Sequence, residues 1–282
     1  MSAMNKPLLL FIKFLLPFFF LAPANHDYQL VWADEFNTGT VPDTANWTFE
    51  QGFVRNHEFQ WYQPENARVA DGILTIEARR EHKLNPNWEA ASPDWKKRDQ
   101  YIEYTSSSIN TAGKKSWLYG RFEMRARIDT SMGLWPAWWT LGEDQPWPSN
   151  GEIDIMEYYR KDLLANIAIG TGVPYKAQWF SNKKPISSFA DHADWAGKFH
   201  IWRMDWDKKE ISLWVDGELL NKHSMDDLYN RDSAHFHPFR HPHYMLLNLA
   251  VGGDNGGDSK TSPTPFPKKY EIDYVRVYQS KP

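Results

Sequence analysis

The chain has no cysteine among its 282 residues. A disulfide framework is therefore excluded, and so is a lipid anchor on a cysteine behind an export leader. Stability has to come from the core, hydrogen bonds and any bound metal. Positive charge is not in excess either: 32 Lys and Arg face 36 Asp and Glu, a formal net charge of −4. No basic field exists to track a phosphate backbone, which sets nucleic acid aside as a partner. Long runs of helical period, internal repeats and Pro/Ser-rich linkers are missing too, so residues 25–282 read as a single domain dominated by strands.

The one strongly apolar stretch is N-terminal. Lys6 and Lys13 precede or interrupt apolar runs, Phe14 to Leu21 is almost entirely Phe and Leu, and Ala22-Pro23-Ala24 follows. It is too short and too interrupted for a spanning helix of about 20 residues, and its end suits cleavage after Ala24. Residues 1–24 are expected to be a signal peptide, giving a secreted or periplasmic mature chain with no membrane insertion, monomeric by default.

What the chain does have is aromatic side chains: 15 Trp, 13 Tyr and 16 Phe. So many indoles exceed what a core conceals, and flat aromatic faces suit the C–H faces of sugar rings. From Tyr28 onward, short alternating segments are separated by turn residues. Strands are expected at Gly72–Ala78, Trp117–Ile128, Glu152–Tyr158, Leu164–Gly170, His200–Trp206, Glu210–Val215, Tyr244–Val251 and Tyr270–Gln279. Asp216-Gly217 supplies the positive φ of a type I′ hairpin turn, so the strand after it should return antiparallel. Residues 81–103, polar and proline-containing, read as a long loop, as does Asp254–Pro267.

The chemistry sits in Asn150-Gly151-Glu152-Ile153-Asp154-Ile155-Met156-Glu157-Tyr158-Tyr159. Glu152 and Asp154, two apart on a strand, share a face, with Ile153 and Ile155 directed to the core. Strict alternation sends Glu157 the other way; a β-bulge after Asp154 restores it. With that bulge the Cα atoms of the two glutamates lie roughly 13 Å apart. Their carboxyls can then approach to about 5–6 Å, near the separation of retaining glycosidases. Glu152 would attack the anomeric carbon, Glu157 would protonate the leaving oxygen and later activate water, and Asp154 would help both. A solvated acidic face is the competing reading, yet like charges on one β face repel and no basic residue interleaves them. No His lies near these acids in sequence, so zinc is not favoured. Carboxylates alone suit calcium, which leaves a lectin-like binding domain as the alternative class.

Trp135-Pro136-Ala137-Trp138-Trp139 followed by Gly151-Glu152-Ile153-Asp154-Ile155-Met156-Glu157 resembles glycoside hydrolase family 16. The resemblance extends from Trp32-Ala33-Asp34-Glu35-Phe36 through Tyr119-Gly120-Arg121-Phe122-Glu123 to Asn248-Leu249-Ala250-Val251-Gly252-Gly253 and Asp273-Tyr274-Val275-Arg276-Val277-Tyr278. It implies an all-β jelly-roll sandwich of two curved antiparallel sheets with a concave substrate cleft. It also implies endo-acting, retaining hydrolysis, with Glu152 as nucleophile, Glu157 as acid/base and Asp154 as their helper. Asn56 and Glu58 resemble the family's sugar-binding stretch, and Trp135 and Trp139 its cleft-floor stacking residues. Trp147, just before the acid strand, is a further cleft candidate. A structural calcium is expected from Asp273, with backbone oxygens from near Glu35 and Gly72. No cofactor is expected for the chemistry.

Two departures bear on the substrate. Where many laminarinases have Thr-Ser-x-Arg the chain has Thr105-Ser106-Ser107-Ser108, and a frequent His on the strand after the acids appears as Ile167-Ala168-Ile169. Both read as lost polar groups, so plain laminarin is not the expected best substrate among β-1,3-glucan, mixed-linkage glucan, agar-like galactan and poly-N-acetyllactosamine.

Overall fold

The computed structural model describes residues 28–257 and 265–281. The expected leader and part of the Asp254–Pro267 loop lie outside the described residues. Two sheets make up the molecule. The seven-stranded sheet runs, in spatial order, Ala177–Pro185, Asp162–Gly170, Glu152–Tyr159, Leu134–Gly142, His243–Val251, Ser108–Asn110 and Thr48–Phe49, antiparallel throughout. The ten-stranded sheet is centred on Gly120–Ile128 and Lys268–Ser280, which pair antiparallel; Gln60–Tyr62 and Tyr101–Ser106 form a parallel pair at its edge. This is the jelly-roll sandwich the motifs imply.

One core fills the space between the sheets. Phe122, Met124, Ala126 and Ile128 alternate along Gly120–Ile128 with half-exposed neighbours, so one face is core and the other meets water. Against them pack Trp138, Ile153, Ile155, Met156, Ile167, Leu247 and Leu249 from the seven-stranded sheet. Each such aliphatic side chain contributes about 1.5–3 kcal/mol by leaving water. The Asp216-Gly217 turn has φ of 49° and 82°, and Glu218–Ser224 does return antiparallel.

Two expectations change. Residues 81–103 are not all loop: Ile73–Leu84 and Tyr101–Ser106 carry a paired hairpin into that stretch, leaving Asn85–Gln100 with the short helix Trp95–Arg98 at the tip. Residues 81–84 of the first arm are exposed or half-exposed, so no alternation marks that arm, whereas in the second arm Ile102 and Tyr104 are buried between exposed neighbours. The strand expected from Trp117 starts at Gly120. Leu134–Gly142, which carries Trp135 and Trp139, is a central strand although it contains Pro136, and proline cannot donate to a ladder. It is tolerated since the acid strand's pairing stops at Ala137, leaving Pro136 a ladder neighbour, Leu249, on one side only.

Candidate active site

The acid strand Glu152–Tyr159 lies in the middle of the seven-stranded sheet. Gly151 leads into it with φ +74°, and a Cβ there would stand 2.7 Å from Pro238, so only glycine admits the turn that starts the strand. The expected bulge is present. Asp154 faces Trp139 and Met156 faces Trp138, which leaves Ile155 as the additional residue. Glu152, Asp154, Glu157 and Tyr159 consequently line one cleft of about 750 Å³, while Ile153, Met156 and Tyr158 face the core.

Each glutamate is gripped by an indole. Trp147 Nε1 donates to Glu152 Oε2 at 2.5 Å, and Trp135 Nε1 to Glu157 Oε1 at 2.6 Å. Asn166 Nδ2 donates to both Asp154 Oδ2 (3.0 Å) and Glu157 Oε2 (2.8 Å). Glu152 and Asp154 are hydrogen-bonded to one another, so a proton is shared between them. Asp154 and Glu157 are 4% and 8% exposed. Burial, reinforced by the charge of Asp154, pushes Glu152 and Glu157 well above the ordinary carboxylate value. Burial alone raises Asp154 to about 6, against the pull of its hydrogen bonds. Each carboxyl of the triad is thus shifted toward its protonated form.

A second cluster forms the other side of the cleft. Glu58 is buried and accepts from Gln60 Nε2 (2.7 Å), Tyr62 Oη (3.1 Å) and Asn56 Nδ2 (3.2 Å); burial raises its pKa. Asn56 sits at φ +54° and its carbonyl is approached so closely by Gly253 that a Cβ there would lie 2.7 Å away. Asn248 ties this cluster to the floor, accepting from Trp139 Nε1 (2.8 Å) and donating to Tyr62 Oη (3.2 Å). Arg55 pairs with Glu50, and its guanidinium lies 5.2 Å over the Trp139 ring.

The model of glycosyl hydrolases family 16 matches residues 53–276. The chain belongs to that family. It is 36% identical to a β-glucanase of Rhodothermus marinus over 89% of this chain and 85% of that one. Among solved structures it is similar to the catalytic domain of an endo-1,3-β-glucanase (laminarinase) of Thermotoga petrophila, 33% identical, TM-score 0.74, covering 91% of this chain and all of that one. It is also similar to a structure from work on endo-acting O-glycanases that initiate mucin breakdown, expressed by human gut microbiota. That pair is 34% identical with TM-score 0.80, over 92% and 93% of the two chains.

All eight expected catalytic and sugar-contacting residues of this family 16 hydrolase line the same cleft. Sequence reasoning missed Arg55, Tyr159, Asn166, Tyr175, Trp179, Ser181, Lys183, Asn248 and Asn255, which line it as well. Register explains several: Asp154, Asn166 and Ser181 lie in one row across the sheet, as do Glu157, Leu164 and Lys183. Tyr175 is 84% exposed, an open aromatic face at the cleft's rim. The two departures do not strip the cleft of donors. Ser108 Oγ donates to Glu50, which holds Arg55, and Asn166 stands two residues from Ala168.

At the positions expected to hold calcium, the side chains of Asp273 and Glu35 are engaged by guanidiniums. Asp273 Oδ2 is 2.5 Å from Arg125 Nη1, Glu35 accepts two bonds from Arg276, and Gly72 adjoins Asn37. Oxygen ligands for calcium must be free to converge, and with Arg125 seated on Asp273 the residues present do not fit a cation there. No group of three His, Asp or Glu suited to a metal occurs among the described residues.

Proposed function

We propose that this endo-acting β-glycoside hydrolase works by double displacement with Glu152 as nucleophile and Glu157 as acid/base. The observation that carries the reading is one bulged strand presenting three hydrogen-bonded carboxyls, two of them buried and Glu152 half-buried, to a cleft. When the shared proton rests on Asp154, Glu152 is the free carboxylate. It bonds to the anomeric carbon as the glycosidic C–O bond breaks and the Glu157 proton moves to the leaving oxygen. Water then attacks the same carbon, gives its proton to Glu157, and the ester to Glu152 breaks. Asp154 is the group that takes and returns the nucleophile's proton.

The cleft is open at the Tyr175 rim, and Trp139, Trp179 and Tyr175 spread aromatic surface along it, as an internal cut in a chain requires. A lectin-like role asks for none of the proton-holding arrangement. For the sugar we favour β-linked galactose and N-acetylglucosamine chains over plain laminarin. Support comes from the O-glycanase likeness, at a higher TM-score than the laminarinase, together with Asn166 and Arg55 in the cleft. The leader expected at 1–24 places the reaction outside the cytoplasm. The experiment is initial rate and product size on laminarin, barley-type mixed glucan, agarose and poly-N-acetyllactosamine. Oligosaccharides as first products, with poly-N-acetyllactosamine cut fastest, are expected. Monosaccharide as sole early product contradicts internal cleavage, laminarin outpacing the rest contradicts the sugar, and no reducing ends from any of the four returns the lectin reading.

A further inference from the structure

Asn166 stands out among the cleft residues. It is 4% exposed, it faces the acid strand from Asp162–Gly170, and both protons of its Nδ2 are committed, one to Asp154 and one to Glu157. Its Oδ1 is buried and has no partner among the described residues. The reverse orientation of the amide would aim a carbonyl at two carboxylate oxygens, which is repulsive unless those oxygens carry protons. Both oxygens of Glu157 then accept, Oε1 from Trp135 and Oε2 from Asn166, so the acid has no freedom to swing.

We propose that Asn166 is a positioning residue: Nδ2 fixes Glu157 beside the glycosidic oxygen. The proposal rests on Glu157 being the acid/base.

The groups facing Glu157 are Glu152, Asp154 and Tyr159 from its own strand, Lys183 from the edge strand, and the Trp135 and Asn166 donors. Removing the Asn166 N–H takes a stabiliser from ionised Glu157, which then keeps its proton to higher pH. The basic limb of kcat/KM moves up accordingly.

The test uses Asn166→Ala and the near-isosteric Asn166→Leu in the full chain, each first checked for an unchanged melting profile. Probes are laminarin and poly-N-acetyllactosamine, paired with the 2,4-dinitrophenyl β-glycosides of laminaribiose and of N-acetylglucosaminyl-β-1,3-galactose; the pair that the wild type turns over is used. The activated aryl group leaves without protonation. Expected is a loss of kcat/KM of about tenfold or more on the polysaccharide, under about threefold on the aryl glycoside, with the basic limb raised. Equal losses on both probes with an unmoved limb, or no loss at all, would overturn it. Glu157→Gln is run alongside. If it too loses equally on both probes, the acid assignment falls and not the Asn166 inference alone.

Discussion

The two faces of the sandwich that meet solvent treat acidic side chains in opposite ways. On the convex face, Arg121 pairs with Asp205 (2.6 Å), Arg125 with Asp273 (2.5 Å), Arg127 with Glu271 (2.6 Å) and Arg276 with Glu35 (2.7 Å). These four acids each meet a guanidinium, the arrangement expected where like charges would otherwise repel. On the concave face, Glu152, Asp154 and Glu157 are held by indole and amide N–H groups and by one another, and none enters a salt bridge among the described residues. The first arrangement neutralises charge. The second keeps protons available, at a cost to stability, and that cost marks the face that works.

Breaking the concave arrangement should have the largest effect. Glu152→Gln and Glu157→Gln keep shape but lose nucleophile or acid, so turnover should fall by roughly a thousandfold or more; either variant near wild-type turnover contradicts the assignment. Melting should move the other way. The folded-state pKa values of the triad are raised above those of the unfolded chain, so their contribution is intact at acid pH and lost as pH rises past the ordinary carboxylate range toward the folded values. The variants should therefore melt higher than wild type at pH 7 and alike at about pH 4. A variant that melts lower at pH 7 would mean the triad is not strained by burial.

The triad was legible in the sequence because its unrelieved acids at two- and three-residue spacing demand an explanation, and the bulge follows from that spacing alone. Trp135 and Trp147 were legible as cleft residues but not as clamps, since an indole looks the same whether its face meets sugar or its N–H meets a carboxylate. Asn166, Ser181 and Lys183 were invisible: their importance comes from register across three strands, which no local pattern encodes.

Trp135→Phe sharpens the comparison at intermediate scale. It keeps the ring and removes the N–H that holds Glu157 Oε1, so activity should fall by about tenfold and the basic limb of the pH profile should rise. A tenfold loss with an unmoved limb would assign Trp135 to sugar stacking alone. The convex face should respond least. Arg125→Ala breaks a half-exposed ion pair and should cost about 1 kcal/mol or less, with turnover unchanged. Wild-type melting should be the same in millimolar calcium and in chelator; a rise of several degrees in calcium would mean a cation displaces Arg125 from Asp273.

Retention is the claim on which the roles of all three acids depend, and the anomeric configuration of the first product reads it directly. Proton NMR of the new reducing ends, recorded on the panel glycan cleaved fastest and before mutarotation, should show the β anomer appearing first. The α anomer appearing first would mean a single displacement by water, and Glu152 could not then be the nucleophile.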